Sequence, residues 1–344
     1  LMKHKTFFWF FLPTASAMLL FIALPIFSIV IQSLFTPHDA VIIVTENCDP
    51  FGCKQETTID QEATRDLRKS EPLGKFVGLE IYKDRGHLAV KEIKEIWVES
   101  NNFTEFRNNI GNLPFYRAMA FTLTFTFTVT PLMLVFGFII ALAVNSLHQN
   151  LKGLTIFFSL LPMIVSPLIG SLVLFWMIDS RGIIGEALQY VFEDPDLSLK
   201  ASTGLTWVML IVYGVWHAAP FSFVVFYAGL QTLPMDTIES AKIDGASRLQ
   251  QVWYVVIPHL MPLITFVALM QLMDNFRVFE PIVGFSAEAH AQSLSWFIFN
   301  DLGGETRLLS SAATSSVLTI IGVSILLFPV LIRTWRDFNE KSTK

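Results

Sequence analysis

Charge is scarce in this 344-residue chain, and basic stretches are missing. Only 15% of the residues are Asp, Glu, Lys or Arg, and the formal net charge is −5. So little charge excludes an ordinary soluble protein of this length, and the lack of a basic stretch argues against nucleic acid as a partner.

Enzyme signatures are missing as well. The sequence contains no GxxxxGK[ST] phosphate loop, no HExxH and no GxSxG. We therefore expect a protein that is not an enzyme, with no metal and no cofactor in this chain. Any ATP-driven role requires a separate nucleotide-binding subunit, on which ATP and Mg²⁺ would sit.

Apolar residues dominate what is present. They make up 53% of the chain, 32 residues are Phe, and the mean hydropathy is +0.53. The sequence contains six runs of about 20 apolar residues, which is the length that crosses a bilayer. Their spacing is helical or continuous, which predicts an all-α polytopic membrane protein with six transmembrane helices. The runs cover about 7–35, 117–146, 155–178, 205–230, 260–284 and 309–333.

Basic residues in the short connecting segments predict the orientation. With the termini inside, these segments hold nine Lys or Arg inside and three outside. The positive-inside rule then places both termini and segment 234–258 in the cytoplasm. The start, with Lys3, Lys5 and the triplet Ala15-Ser16-Ala17, also fits a signal peptide, but apolar sequence continues to Leu34 and favours an uncleaved first helix.

A hydrophilic region follows the first run, and residues 36–116 are predicted to form a small extracytoplasmic subdomain. It contains the only cysteines, Cys48 and Cys53, in the sequence CDPFGC. Pro50 and Gly52 indicate a tight turn, so a local disulfide is expected in an oxidising compartment. A metal pair is the alternative, but further Cys and nearby His are missing. The remaining divisions are 1–35, a five-helix core at 117–334 and a cytoplasmic tail at 335–344.

The polar segment between the fourth and fifth runs carries a spaced motif. It reads ESAKIDGASRLQQVWYVVIP, from Glu239 to Pro258. This register resembles the EAA motif of ABC importer permeases, E-A-A, x3, G, x9, I, x, L, P, with conservative changes at Ser240, Val255 and Ile257. The stretch FVGLEIY at 76–82 also resembles the FVGLENY of sugar-type permeases, and residues 37–73 then look like an insertion before it.

The resemblance covers roughly 76–335 and implies a type I ABC importer permease of the carbohydrate, maltose-type class. It implies a bacterial inner-membrane assembly with a second permease subunit, an ATPase dimer and an extracytoplasmic solute-binding protein. The segment would dock in a cleft of the ATPase. The residues to which the motif assigns this coupling are Glu239, Ser240, Ala241, Asp244, Gly245 and Pro258.

Local signals predict how this segment folds. Asp236 is a candidate N-cap, with Glu239 three residues later in a capping-box arrangement. A helix starting there would carry Ile238, Ala241 and Gly245 on one face, where small residues allow a partner to approach closely. A capped surface helix that binds nothing is the alternative.

A second group of candidates lies around the end of the fifth run. Ionisable groups within a span are costly unless paired or wetted, so they are candidates for a solute path. An ion-paired plug that fixes helix packing is the alternative. Further candidates lie in the fourth helix, where Pro220 predicts a kink, and in the third helix Pro162 and Pro167 predict another. The solute-path candidates are Gln271, Asp274, Asn275, Arg277, Glu280, Trp216, His217 and Tyr227.

Two other classes of function compete with the importer. A secondary transporter or channel would work without an ATPase, and leaves the register of 239–258 unexplained. A membrane-anchored assembly or sensor protein would use the 36–114 region as its working part. The solute remains open among di- or oligosaccharides, sugar acids, polyols and glycerol phosphates, with a glycoside favoured.

Overall fold

The computed structural model describes the backbone of residues 2–49, 52–100, 102–303 and 307–342. Side chains are described for these residues except at 2–6, 45–49, 52–56, 333–335 and 337–342. The chain is 76% helical, which confirms the all-α prediction. It divides into two compact units, Leu1–Tyr116 with Phe297–Ile321, and Arg117–Trp296 with Gly322–Lys344.

The first unit contains short helices and two small antiparallel ladders, which pair β1 with β4 and β2 with β3. The helices of its N-terminal part are α1 (Met2–Met18), α2 (Leu24–Gln32), α3 (Gln61–Ser70), α4 (Glu80–Lys83), α5 (Val90–Glu99) and α6 (Phe103–Gly111), with a π turn at Leu19–Ala23. Its strands are β1 (Phe35–Thr36), β2 (Ile42–Asp49), β3 (Gly52–Ile59) and β4 (Lys75–Phe76).

The rest of the chain is helical, and three of its helices have 29 or more residues. The helices are α7 (Pro114–Ser146), α8 (Gln149–Ile164), α9 (Pro167–Met177), α10 (Ile183–Phe192), α11 (Thr203–Gln231), α12 (Met235–Ile243), α13 (Arg248–Gln251), α14 (Ile257–Phe276), α15 (Glu280–Gly284), α16 (Leu294–Gly303) and α17 (Leu309–Ser342), with a π turn at Val252–Val256.

Within the described residues, five helices are long and apolar enough to cross a membrane, and there are six if the bent pair α8 and α9 forms one span. The multi-pass prediction is therefore confirmed. The five are Phe7–Gln32, Pro114–Ser146, Thr203–Gln231, Arg248–Phe276 and Leu309–Ile332. The threonines of α7 alternate as in a strand, yet Thr126 donates its hydroxyl to the carbonyl of Thr122, as expected for a helix.

The third span is broken rather than gently kinked. The axes of α8 and α9 meet at 95°, on either side of Val165 and Ser166. Pro167 occupies the first turn of α9, where its missing N–H costs nothing, and Ser166 caps that turn by accepting from the N–H of Ile169. Pro162, also predicted to kink the helix, lies inside α8.

The fifth span is shifted toward the N-terminus relative to the prediction of 260–284. It runs over Arg248–Phe276 and passes through the π turn without a break. Pro258 is the second residue of α14, and the helix continues past it. The helix ends at Phe276, so Arg277 and Glu280, predicted inside the span, lie beyond it.

A closed loop carries the inserted residues of the first unit. Strand β1 pairs with β4 in the register Phe35 to Phe76 and Thr36 to Lys75, so the chain leaves and returns at neighbouring positions. Between them, the β2–β3 hairpin sets Cys48 opposite Cys53. This register is what a local disulfide needs. The two side chains lie outside the described residues, so the disulfide stays a prediction.

The long helices of the second unit pack through two apolar clusters. One joins the first half of α7 to α11 and to residues 278–291, and is centred on Phe121, Leu210 and Tyr213. The other joins the second half of α7 to α11 and α14, and is centred on Met133, Phe223 and Leu260. These contacts hold α12 and the end of α14 in place.

Candidate functional site

The polar segment between the fourth and fifth spans is a short helix followed by a turn. Helix α12 begins after Pro234, whose side chain makes no cap hydrogen bond. The predicted capping box of Asp236 and Glu239 is therefore wrong, because Asp236 already lies in the first turn. A capping box forms instead at the start of α13, between Ser247 and Gln250. Both sequences fit the pattern of an N-cap followed three residues later by Glu or Gln.

Gly245 ends α12 in a Schellman arrangement. Its φ of +80° is in the left-handed region, where a residue with a Cβ is strained. The N–H of Gly245 donates to Lys242 at 3.1 Å, and the N–H of Ala246 donates to Ala241 at 3.0 Å. These two bonds satisfy carbonyls at the helix end and turn the chain toward α13.

Space is not what selects glycine at this position. A Cβ added to Gly245 would meet nothing within 4 Å in this chain. The glycine is therefore needed for the left-handed turn rather than for packing within this chain.

The faces of α12 differ from the predicted arrangement. Ile238 is partly buried and packs against the cluster around Met133 and Leu260, so the face predicted to receive a partner is turned partly inward. Glu239, Ser240 and Asp244 are exposed. Ile243 is also exposed, to 87%, although it is apolar. The free surface of α12 therefore combines acidic groups with an apolar side chain.

The polar residues of α14 divide into buried and exposed groups. Gln271 and Asn275 are buried, and Asn275 donates its amide to the hydroxyl of Thr130 on α7 at 2.9 Å. This hydrogen bond joins two membrane spans. Hydrogen bonds between helices help to hold membrane spans together. Asn275 thus has a packing role in this chain, and Thr130 is a partner that sequence reasoning missed.

Asp274 and Arg277, three residues apart, form an ion pair. Arg277 donates to the Asp274 carboxylate at 2.7 Å, and the two side chains are 59% and 49% exposed. The helix breaks between Arg277 and Glu280, and Glu280 is exposed at the start of α15. A charged pair exposed at the end of a span must face water or another chain, since lipid would not solvate it.

The remaining candidates lie on α11, beside the broken third span. His217 lies with its Nε2 3.2 Å from the carbonyl oxygen of Val165. Because a carbonyl only accepts, Nε2 carries the hydrogen, and the bond satisfies a carbonyl left free where α8 ends. Trp216 is exposed, and Tyr227 is half-buried with its ring against Phe223.

Tyr213, one turn before His217, was missed by the sequence reasoning. Its hydroxyl donates to the carbonyl of Pro167 at 2.7 Å, and its ring packs against those of His217 and Phe285. The sequence could have indicated Tyr213 as a further candidate, because it lies four residues before His217 and shares one face of α11 with it.

Helix α9 also makes a close contact with α15. A Cβ at Gly284 would overlap the hydroxyl of Ser171 and approach the carbonyl of Leu168. The break, α9 and α15 therefore form one packed group next to α11. In the part of the chain that the structure describes, no group of three or more His, Cys, Asp or Glu is placed to hold a metal.

The chain is similar to known transport proteins over much of its length. The family model described as "Binding-protein-dependent transport system inner membrane component" matches residues 110–279. The probable ABC transporter permease protein YesP of Bacillus subtilis is 30% identical over 54% of this chain and 59% of its own length. The multiple sugar-binding transport system permease protein MsmF of Streptococcus mutans is 31% identical, over 54% and 64%.

A third relative is matched over more of its length. The sn-glycerol-3-phosphate transport system permease protein UgpA of Brucella suis is 28% identical over 69% of this chain and 80% of its own length. Among solved structures, a chain of a bacterial ABC transporter involved in the import of the acidic polysaccharide alginate superposes with a TM-score of 0.58. That match covers 80% of this chain and 98% of the other at 19% identity, which shows a shared fold.

Proposed function

We propose that the chain is a member of this family of inner membrane components of binding-protein-dependent transport systems, and that it is the permease subunit of an ATP-driven ABC importer. It would move a carbohydrate or a related polyhydroxylated solute into the cytoplasm. The chain supplies the path, and a separate ATPase supplies the energy.

The observation that carries the proposal is the structure of segment 234–258. Helix α12 is short, largely exposed and ended by the left-handed Gly245, and it lies between two spans. Ile238 fixes it to the apolar cluster of the membrane helices. A displacement of α12 would therefore move the spans as well, and coupling to an ATPase requires such a movement.

The surface of α12 suits a protein partner. Glu239 and Asp244 offer carboxylates for a basic side chain, and Ile243 offers an apolar contact. Such a mixture of charged and apolar groups is typical of protein interfaces. We assign the docking role to Glu239, Ser240, Ala241, Asp244 and Gly245, with Pro258 at the start of the following span.

The assembly that fits this role contains more subunits. A second permease chain would complete the path, two ATPase copies would receive the docking helices, and an extracytoplasmic binding protein would deliver the solute. Closure of the ATPase dimer on ATP would draw the docking helices together and open the helix bundle outward. In this arrangement both termini and α12 are cytoplasmic.

Polar groups that are not committed to packing mark the solute path. Asp274 and Arg277 are exposed near the end of the fifth span, and Trp216 is exposed on α11. Hydroxyl-rich solutes bind through such hydrogen-bonding and aromatic groups. Of the other candidates, Gln271 is buried, and Asn275 and His217 bond to neighbouring helices. Tyr227 and Glu280 are kept as candidates that line the solute path.

Co-purification tests this proposal. An affinity tag on the full chain, expressed in its native host, is used to isolate the assembly in mild detergent, and mass spectrometry identifies the bound subunits. We expect an ATPase in a 2:1 ratio to this chain and a second permease. Recovery of the chain without any ATPase, and uptake that survives ATP depletion but stops when the ion gradient collapses, would support a secondary transporter instead.

A further inference from the structure

Helices α5 and α6, with Ser100 and Asn102 between them, line a small open cavity in the first unit. Its volume is about 220 Å³. The described residues that line it are Trp97, Ser100, Asn102, Phe103 and Phe106. We propose that this cavity binds one ring of a neutral saccharide.

The aromatic side chains form the first part of the argument. The rings of Trp97 and Phe106 meet edge to face with their centroids 5.0 Å apart, so each fixes the orientation of the other. Trp97 is nevertheless 66% exposed, and Phe103 is exposed as well. A fixed, open indole face on a hydrophilic region gives the apolar face of a sugar ring a surface on which to stack.

Two polar side chains, of Ser100 and Asn102, line the same cavity. The hydroxyl oxygen of Ser100 is buried and has no hydrogen-bond partner among the described residues. Asn102 precedes α6 at the N-cap position, yet its side chain makes no cap hydrogen bond. A buried hydroxyl without a partner costs free energy, and a ligand that bonds to it would recover that cost.

The absence of charge in the described lining narrows the ligand class. None of the five lining side chains is ionisable. A phosphate or a carboxylate would meet no counter-charge there, whereas hydroxyl groups would meet a hydroxyl and an amide. The choice of a saccharide among neutral hydroxylated molecules rests on the proposed import of carbohydrate, and the volume suits one ring rather than a chain.

Saturation-transfer NMR on the intact complex in lipid nanodiscs tests the site. The probes are maltose, cellobiose and, as a charged comparison, sn-glycerol 3-phosphate. We expect saturation transfer to at least one disaccharide. The saturation-transfer signal of that disaccharide should be reduced in Trp97→Ala. A tenfold or greater weakening is expected from the loss of a stacking surface. Glycerol phosphate is expected to give no signal that depends on Trp97.

Matched variants separate this site from the path and from misfolding. Val98→Ala changes a neighbouring side chain on the same helix that is 84% exposed and does not line the cavity, and it should retain the full signal. Ser100→Ala should weaken binding without abolishing it. Equal signals from Trp97→Ala and Val98→Ala, or no disaccharide signal at all, would overturn the proposal.

Uptake measured on the same complexes keeps this proposal distinct from the function of the chain. If ATP-driven sugar uptake is observed while the Trp97-dependent signal is missing, the cavity is not a saccharide site and the importer stands. If the signal is present while no carbohydrate is transported, the cavity stands and the carbohydrate importer fails.

Discussion

The hydroxyl of Tyr213 on α11 donates a hydrogen bond of 2.7 Å to the carbonyl oxygen of Pro167, directly after the break in the third span. One turn later on α11, His217 bonds to the carbonyl of Val165 on the other side of the break. Two neighbouring side chains thus hold both sides of a 95° bend. Backbone groups left free by a bend need such partners in an apolar environment.

Replacing Tyr213 by Phe should destabilise the protein. The variant loses one buried hydrogen bond while keeping the ring contacts with His217 and Phe285, so a loss of about 1–2 kcal/mol is expected. Thermal unfolding in detergent, followed by circular dichroism, measures the change. Tyr190→Phe is the control, because Tyr190 is 86% exposed. Equal stability of the two variants would show that the bond does not support the bend.

The Asn275 and Thr130 pair should behave as a packing contact between α14 and α7. A double-mutant cycle with Asn275→Ala and Thr130→Ala is expected to give a coupling energy of about 0.5–1.5 kcal/mol, typical of bonds between membrane helices. Unfolding of the four proteins in detergent provides the values. A coupling energy of zero, together with a solute KM that changes only in Asn275→Ala, would contradict the packing role and support Asn275 as a solute-path residue.

Asp274 and Arg277 should matter for transport more than for stability. An exposed ion pair contributes only about 0–1 kcal/mol, so Asp274→Asn should leave the unfolding temperature nearly unchanged. Uptake kinetics in proteoliposomes should show a several-fold higher KM for the solute. The exchanged variant D274R/R277D keeps a pair of opposite charges, and recovery of normal uptake by this variant would support the plug interpretation instead.

Asp179 gives the loop region 178–200, between α9 and α11, a dependence on pH. The side chain of Lys200 donates to its carboxylate at 2.8 Å, and the N–H of Arg181 donates to it as well. These bonds, the one from Lys200 first, lower the pKa of Asp179 below its usual value. A carboxylate with a lowered folded pKa stabilises the loop above about pH 4, its unfolded value, and the effect is lost as the pH falls through the folded pKa.

Hydrogen exchange between pH 6 and pH 2.5 tests this dependence. After correction for the intrinsic exchange rate, protection of the loop at 178–200 should fall below about pH 4 in the native protein. In Lys200→Met, protection should already be lower at pH 6 and change less with pH. An identical pH profile for the two proteins would rule out the pair as the cause.

Hydropathy was sufficient to predict the spans because burial in lipid requires long apolar helices with few charges. Pro167 likewise gave the position of the break, although the size of the bend depends on the partners of α8 and α9. The start of the fifth span was placed twelve residues too late. Arg248, Gln250 and Gln251 are polar, but a helix outside the hydrocarbon layer needs no apolar side chains to continue.

The contacts within the site could not be predicted from the sequence, because they join residues that are far apart along the chain. Asn275 and Thr130 are 145 positions apart, and nothing local indicates that they meet. The cap of α12 was predicted at Asp236, but Pro234 occupies the N-cap position, and the capping box forms in α13, where Ser247 and Gln250 show the same pattern. Gly245 was expected on a face of the helix with Ile238 and Ala241, whereas it ends the helix, as glycine in the left-handed region commonly does.

The most direct test of the coupling role of α12 is ATP-driven uptake by complexes that carry Gly245→Val. A side chain at φ +80° costs about 1–3 kcal/mol and should shift the turn that orients α12. Gly204→Val is the matched control, because Gly204 also has open space around it but no positive φ. We predict that Gly245→Val inserts normally and loses more than nine-tenths of its uptake, while Gly204→Val keeps most of its own. Uptake by Gly245→Val at the native rate would contradict the account.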